Sequence, residues 1–194
     1  MKILNSITLI ALSTALLGAT TLTKQEKQLH KTIEIGKKSS TMLIKTLGKN
    51  MKQHMKKGGV MDALNFCSDE AFNLTEDVNK KIPNGVKVKR ISSKYRNPVN
   101  APSEEEMAIL ESFEKLKNAN AVLPEYIVQR VDANTDKYYK PLLINNKVCL
   151  ACHGDIAKNI DLRRKVASVY PLDKATNYEM GDLRGAVVVT VKHK

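Results

Sequence analysis

Five residues, Cys149-Leu150-Ala151-Cys152-His153, constrain this chain more than any other feature. Two thiols three residues apart on one helical turn can reach the two vinyl groups on one edge of a porphyrin. The histidine that follows is then carried under the ring plane, where it can ligate iron. The pattern is the attachment signature of a c-type haem. It occurs once, so it specifies one haem, and Cys149, Cys152 and His153 are its candidate ligands. The chain has three Cys and four His among 194 residues, so a chance assembly of all three positions is rare. Two other readings use the same residues. A structural zinc would want four ligands and a second CxxC pair is missing, although Cys67 with Cys149, Cys152 and His153 is a conceivable set. A Cys149–Cys152 disulfide is the other.

The N-terminus agrees with the haem reading. Lys2 precedes an uncharged run from Ile3 to Thr23, whose apolar centre is Ile7–Leu17 and which passes into Gly18, Ala19 and Thr20. This is the pattern of a secretory signal over residues 1–20. An uncleaved membrane anchor is the rival, since about 20 apolar residues can span a bilayer. Either way the expected location is exported or periplasmic, where haem is attached to such motifs. A membrane is a partner only if the segment stays.

The net charge of +12 belongs to one stretch. Residues 24–57 hold ten Lys and two acids, Glu26 and Glu34, while residues 58–194 carry only +3. The chain has six Arg in all and no Trp. Readers of nucleic acid rely on Arg forks and aromatic platforms, so nucleic acid is excluded as a partner. The lysines instead offer a docking face for a redox or signalling protein, a solvated face, or a seam in a homodimer. Hydrophobic content of 42% supplies a core, and nine Gly with six Pro in no period exclude fibrous and low-complexity classes.

Periodicity predicts one long amphipathic helix over 24–57, with Leu29, Ile33, Ser40, Leu43, Leu47, Met51 and Met55 along one stripe. At 1.5 Å per residue it would run about 51 Å, and Gly58-Gly59 ends it. A second helix is expected from Val60 to Lys80, its stripe including Leu64, Cys67, Ala71, Leu74 and Val78. Pro83-Asn84-Gly85 is a turn before a strand at Val86–Ile91. Ser103-Glu104-Glu105-Glu106 is a capping box that opens a helix through Leu110 and Phe113. Glu125–Val131 and Lys137–Ile144 read as a hairpin around Ala133–Asp136. A short helix carries the CxxCH motif, and Ala186–Val191 is a final strand. The class is α+β, with a haem-binding domain at 58–194.

Cys67 is the odd thiol in an exported chain. It is either a small buried hydrophobe or the distal iron ligand opposite His153. His30 and His54 are expected on a solvated face and His193 in a frayed end. Arg90, Arg96, Tyr138, Tyr139, Tyr170 and Tyr178 are candidates to hydrogen-bond haem propionates, or else packing residues. No Ser-His-Asp set, paired carboxylates or phosphate-cradling Gly loop occurs, so an enzyme is not expected. A haem peroxidase or nitrogen-oxide reductase is the enzymatic alternative.

Four blocks in order, ALNFCSDEAFNLT, RISSKYRNPVNAPSEEE, YYKPLLINNKVCLACHGD and YPLDKATNYEMGDLRGAVVV, resemble the Tll-like periplasmic c-type haem-binding domain family over roughly residues 27–192. The resemblance implies a PAS-like antiparallel sheet behind a long N-terminal helix. It also implies one covalent haem on Cys149 and Cys152, with His153 and Cys67 as axial ligands. Such modules often precede kinase, cyclase or chemoreceptor output domains. The expected function is therefore a monohaem, cytochrome-like redox or small-ligand sensor. The alternative is a low-potential electron carrier that docks on an acidic redox partner.

Overall fold

The computed structural model describes residues 22–194. The expected signal or anchor over 1–20 lies outside the described residues. No described helix is long and apolar enough to cross a membrane.

Helix α1 (Lys24–Asp69) opens on a capping box in which Thr23 accepts from the Glu26 amide and Glu26 reaches back to the Thr23 amide. The helix is two arms, 24–57 and 60–69. Between them Gly58 leaves the helical region and Gly59 sits at φ 69°. The turn is sharp. His54 stacks on Phe66 with ring centroids 4.8 Å apart, whereas twelve residues of straight helix would separate them by about 18 Å. The Gly pair thus ends the long helix as its sequence predicts. His54 is not simply solvated: its Nδ1 lies 2.8 Å from Asp62 on the second arm.

The rest of the chain is α2 (Ala71–Lys81), β1 (Val86–Ile91), α3 (Glu104–Asn118), β2 (Ile127–Asp132), β3 (Thr135–Leu143), α4 (Lys147–His153), α5 (Ile160–Val169) and β4 (Leu183–Lys192). The expected helix over 60–80 is broken at Glu70, which caps both α1 and α2. Helix α5 was not anticipated, and the hairpin turn tightens to Ala133-Asn134 because Asp132 pairs with Thr135.

The four strands form one antiparallel sheet in the order β1-β4-β3-β2. This is an α+β fold. Strand β4 is central and covered on both faces, which is why its sequence is a continuous apolar run and not an alternation. Val187, Val189 and Val191 face Leu43 of α1 with Val78 and Ile82. Ala186 and Val188 face Leu110 and Phe113 of α3. At the β1 edge, Asn79 of α2 donates to the Val88 carbonyl and accepts from its amide, closing an otherwise open rim.

The face of α1 against the sheet matches the expected stripe at Ser40, Leu43 and Leu47 but departs from it nearer the N-terminus. Leu29 is exposed, and the buried residues are Gln28, Thr32, Gly36, Ser39, Ser40 and Leu43 on the first arm. Small residues let the helix backbone approach closely: a Cβ on Gly36 would fall 2.3 Å from the Tyr138 ring. Tyr138 is therefore a packing residue. It is wholly buried beneath α1 and stacked on Tyr126, away from the CxxCH turn, and its assignment as a propionate ligand is corrected. Tyr139 points to the opposite face and donates to Gln129. His193 is not frayed. It is buried, and its Nε2 lies 2.9 Å from Asp136 and 3.0 Å from Thr32. Arg130 pairs with the same Asp136, so α1, the β2–β3 hairpin and the C-terminal tail meet on one carboxylate.

Candidate functional site

The CxxCH residues form the short helix α4. Asn146 caps it by accepting from the Val148 amide at 2.9 Å, and Gly154 ends it by donating to the Leu150 carbonyl. Only glycine fits at 154, since a Cβ would lie 2.8 Å from that carbonyl. Cys149 and Cys152 are half-buried free thiols, and Cys67 is a third.

A loop of residues 173–178 runs beside α4. The Tyr178 amide donates to the His153 carbonyl and the Asn177 amide to that of Gly154. The Ala175 carbonyl lies 2.8 Å from His153 Nδ1. A carbonyl can only accept, so Nδ1 carries the proton and Nε2 is left with its lone pair. Burial holds the His153 pKa well below its usual value, helped by the charges of Arg184, Arg96 and Arg90, against the Ala175 hydrogen bond. The ring is thus a neutral imidazole with one nitrogen fixed and the other available. Tyr178 packs edge-on against it at 6.3 Å.

Arg96 joins the parts. Its Nη2 donates to the Cys152 carbonyl at 2.8 Å and the Ala175 carbonyl at 3.1 Å, and it pairs with Asp173 through Nε and Nη2. Asp173 in turn accepts from the Ala175 amide. The guanidinium therefore fastens the CxxCH turn to the loop that orients His153.

Cys67 comes to the site from the second arm of α1. Burial pushes its thiol up while Arg90 and Arg96 pull it down. Burial also pushes Cys152 up to about 11; Arg96 opposes this and Cys67 adds to it. The two thiols and two guanidiniums thus share one electrostatic environment. The second arm is held there by Leu64, Val60 and Met61 against Ile156, Leu162, Val166 and Tyr170 around α5.

The positive charge is in excess. Arg90 and Arg184 have no carboxylate partner among the described residues. The Arg90 Nε is buried with nothing to donate to. Arg184 rests on neutral acceptors, Ser92 Oγ at 2.8 Å and the Lys94 carbonyl at 3.2 Å. Burial lowers the pKa of both. A group bringing acidic side arms would relieve them. Two free thiols, a neutral imidazole with an open Nε2, a third thiol and unpaired guanidiniums are a donor set that fits a haem. Among the described residues no three His, Cys, Asp or Glu side chains are grouped closely enough to hold a bare metal ion.

The structure therefore brings Cys67, Cys149, Cys152, His153 and Arg96 together and leaves Tyr138 elsewhere. Arg184, Asp173 and Ala175 were not found in the sequence. Their roles come from the fold of the 173–185 segment, and a backbone carbonyl has no sequence signature.

A family model described as Tll0287-like matches residues 11–192. Among solved structures, the crystal structure of the cyanobacterial heme-protein Tll0287 is similar: 24% identical, covering 87% of this chain and 96% of that chain, with a TM-score of 0.59. That likeness shows a shared fold. No curated protein matches the chain.

Proposed function

The chain belongs to the Tll0287-like family, and on that premise we propose that it is a monohaem c-type cytochrome-like protein acting outside the cytoplasm as a redox or small-ligand sensor. Cys149 and Cys152 would hold the porphyrin by thioethers, and His153 and Cys67 would ligate its iron. The observation that carries this reading is the His153 ring, anchored through Nδ1 to the Ala175 carbonyl. A metal-binding histidine needs a second partner of that kind to fix its tautomer and orientation. The heme-protein neighbour supports the cofactor.

When bound, haem supplies an iron that changes oxidation state and takes diatomic ligands. The chain supplies the rest. Arg96 and Asp173 hold the imidazole's anchor in place. Cys67 sits on residues 60–69, an arm that packs on α5 and is joined to the long first arm through Gly58-Gly59. A change in what Cys67 contacts would be passed by that arm through the glycine turn to the first arm, where a partner would read it. The reading includes no catalytic residue.

A second reading, a low-potential electron carrier, is favoured by one feature: all ten lysines of residues 24–57 are exposed. They would dock an acidic redox partner, with a rate that falls as salt rises.

The test is an absorbance series on the haem-loaded protein: ferric, reduced, and reduced with CO, for wild type and Cys67→Ala. The sensor reading expects a low-spin ferric spectrum, CO binding after reduction, and a changed ferric spectrum in the variant. Six-coordinate haem in both states that ignores CO would favour the electron carrier. A variant identical to wild type would remove Cys67 as a ligand.

A further inference from the structure

At the opposite end of the sheet from His153 lies a cleft of ≈ 640 Å³ between the start of α1, the turn before β1 and the C-terminal tail. Its walls include Lys24, Lys27, Lys31, Lys192 and Lys194, together with Gln28 and His193. None of the five lysines pairs with a carboxylate among the described residues. The carboxylates nearby are otherwise engaged. Glu26 caps Thr23, Asp132 accepts from the Asn134 amide, and Asp136 is held by Arg130, Thr32 and His193.

We propose that this cleft is a binding site for a multivalent phosphate-class oxyanion. Five lysines from two chain segments line one concavity, and a concave wall of one sign concentrates field and counter-ion. The start of α1 adds the positive end of a helix dipole at the same place. The second observation is Gln28. Arg130 can only donate, and its Nη1 lies 3.2 Å from Gln28 Oε1, which fixes the amide's orientation. Gln28 Nε2 then remains a buried donor with no acceptor in a wall of the cleft. An oxyanion adds countercharge to these lysines, which make no ion pair among the described residues although Asp132 lies near Lys192. Lysines suit it as compact point charges, where Arg would select a planar, forked geometry.

The site is independent of the haem reading. Strand β4 runs ten residues from Leu183, beside the Arg184 that acts on His153, to Lys192 in the cleft. That places the two sites about 30 Å apart.

The test is calorimetric titration of the full haem-loaded protein with inorganic pyrophosphate. The variants are Lys24→Gln/Lys27→Gln/Lys31→Gln and Lys45→Gln/Lys49→Gln/Lys52→Gln. Both remove three charges from the same exposed helix, but only the first touches the cleft. The proposal expects one site per chain, weakened at least tenfold in the first variant and less than twofold in the second, with the absorbance spectrum unchanged in both. Co-sedimentation with phosphatidylglycerol vesicles, run on the same three proteins, identifies the source of the phosphate. Cleft-specific loss there and not with pyrophosphate means a lipid headgroup. Equal losses in the two variants in both assays, or no binding in either, would overturn the site. A colourless wild type would count against the haem reading and leave this result intact.

Discussion

Replacing Arg96 by Met tests how the site is held together. The Arg96 and Asp173 side chains are each only 9% exposed, so the variant would leave a buried carboxylate without its cation. Removing one partner of a buried pair costs about 3–5 kcal/mol. The carbonyls of Cys152 and Ala175 lose a charged donor as well. For a domain of this size each 1 kcal/mol moves the melting temperature by about 2–4 °C, so a fall of at least about 6 °C is expected. Arg96→Met/Asp173→Asn, which also removes the stranded charge, should recover a good part of that loss, because desolvation of Asp173 is the larger share of it. Thermal melts of wild type, both single variants and the double variant complete the cycle. A single-variant loss under about 1 kcal/mol, the scale of an exposed pair, would refute the reasoning. So would a double variant whose loss equals the sum of the singles.

Gly36→Ala should lower stability by about 1–3 kcal/mol, as overpacking does, since its Cβ would lie 2.3 Å from a Tyr138 ring that cannot move aside. Gly48→Ala, on the same helix with nothing within 4 Å, should raise it by about 0.5–1 kcal/mol; chemical denaturation reads both. Burial tends to raise the Glu106 carboxyl, but hydrogen bonds from Lys89 and Ser103 and the nearby Lys137 outweigh it, and its pKa lies below the ordinary 4.5. Asp136 is likewise held below 3.8, the hydrogen bonds of Arg130, Thr32 and His193 outweighing burial. Their stabilising contribution is therefore complete above those ordinary values and disappears as pH falls through the lower folded ones. Glu106→Gln should weaken the protein at neutral pH and flatten its loss of stability in acid; an acid limb as steep as wild type would contradict this.

Local chemistry made much of this fold readable. The Gly58-Gly59 stop, the Ser103–Glu106 capping box, the hairpin and the AVVVTV strand each carry their signal within a few residues, and all are present. What failed depended on distant partners. Ahead of the expected Ser40 and Leu43, the buried stripe of α1 is Gln28, Thr32 and Gly36, because Tyr138 and Asp136, a hundred residues away, meet it there. An apolar period cannot announce a polar seam. His193 looked frayed because the sequence gives no hint that Thr32 and Asp136 wait for it. At the site, CxxCH was legible because its spacing is its chemistry, and Cys67 stood out as an unpaired thiol. Arg184, Asp173 and the Ala175 carbonyl act only through tertiary placement. Tyr138 was misassigned because residue type alone does not say which face of β3 it occupies.

Cys149, Cys152 and His153 are proposed as a haem attachment site. Its most direct test is the intact mass of the protein, made in a host that attaches c-type haem and measured after denaturation. Wild type is expected to carry the added mass of one haem, and Cys149→Ala/Cys152→Ala none. A wild-type mass equal to that of the bare chain would contradict it.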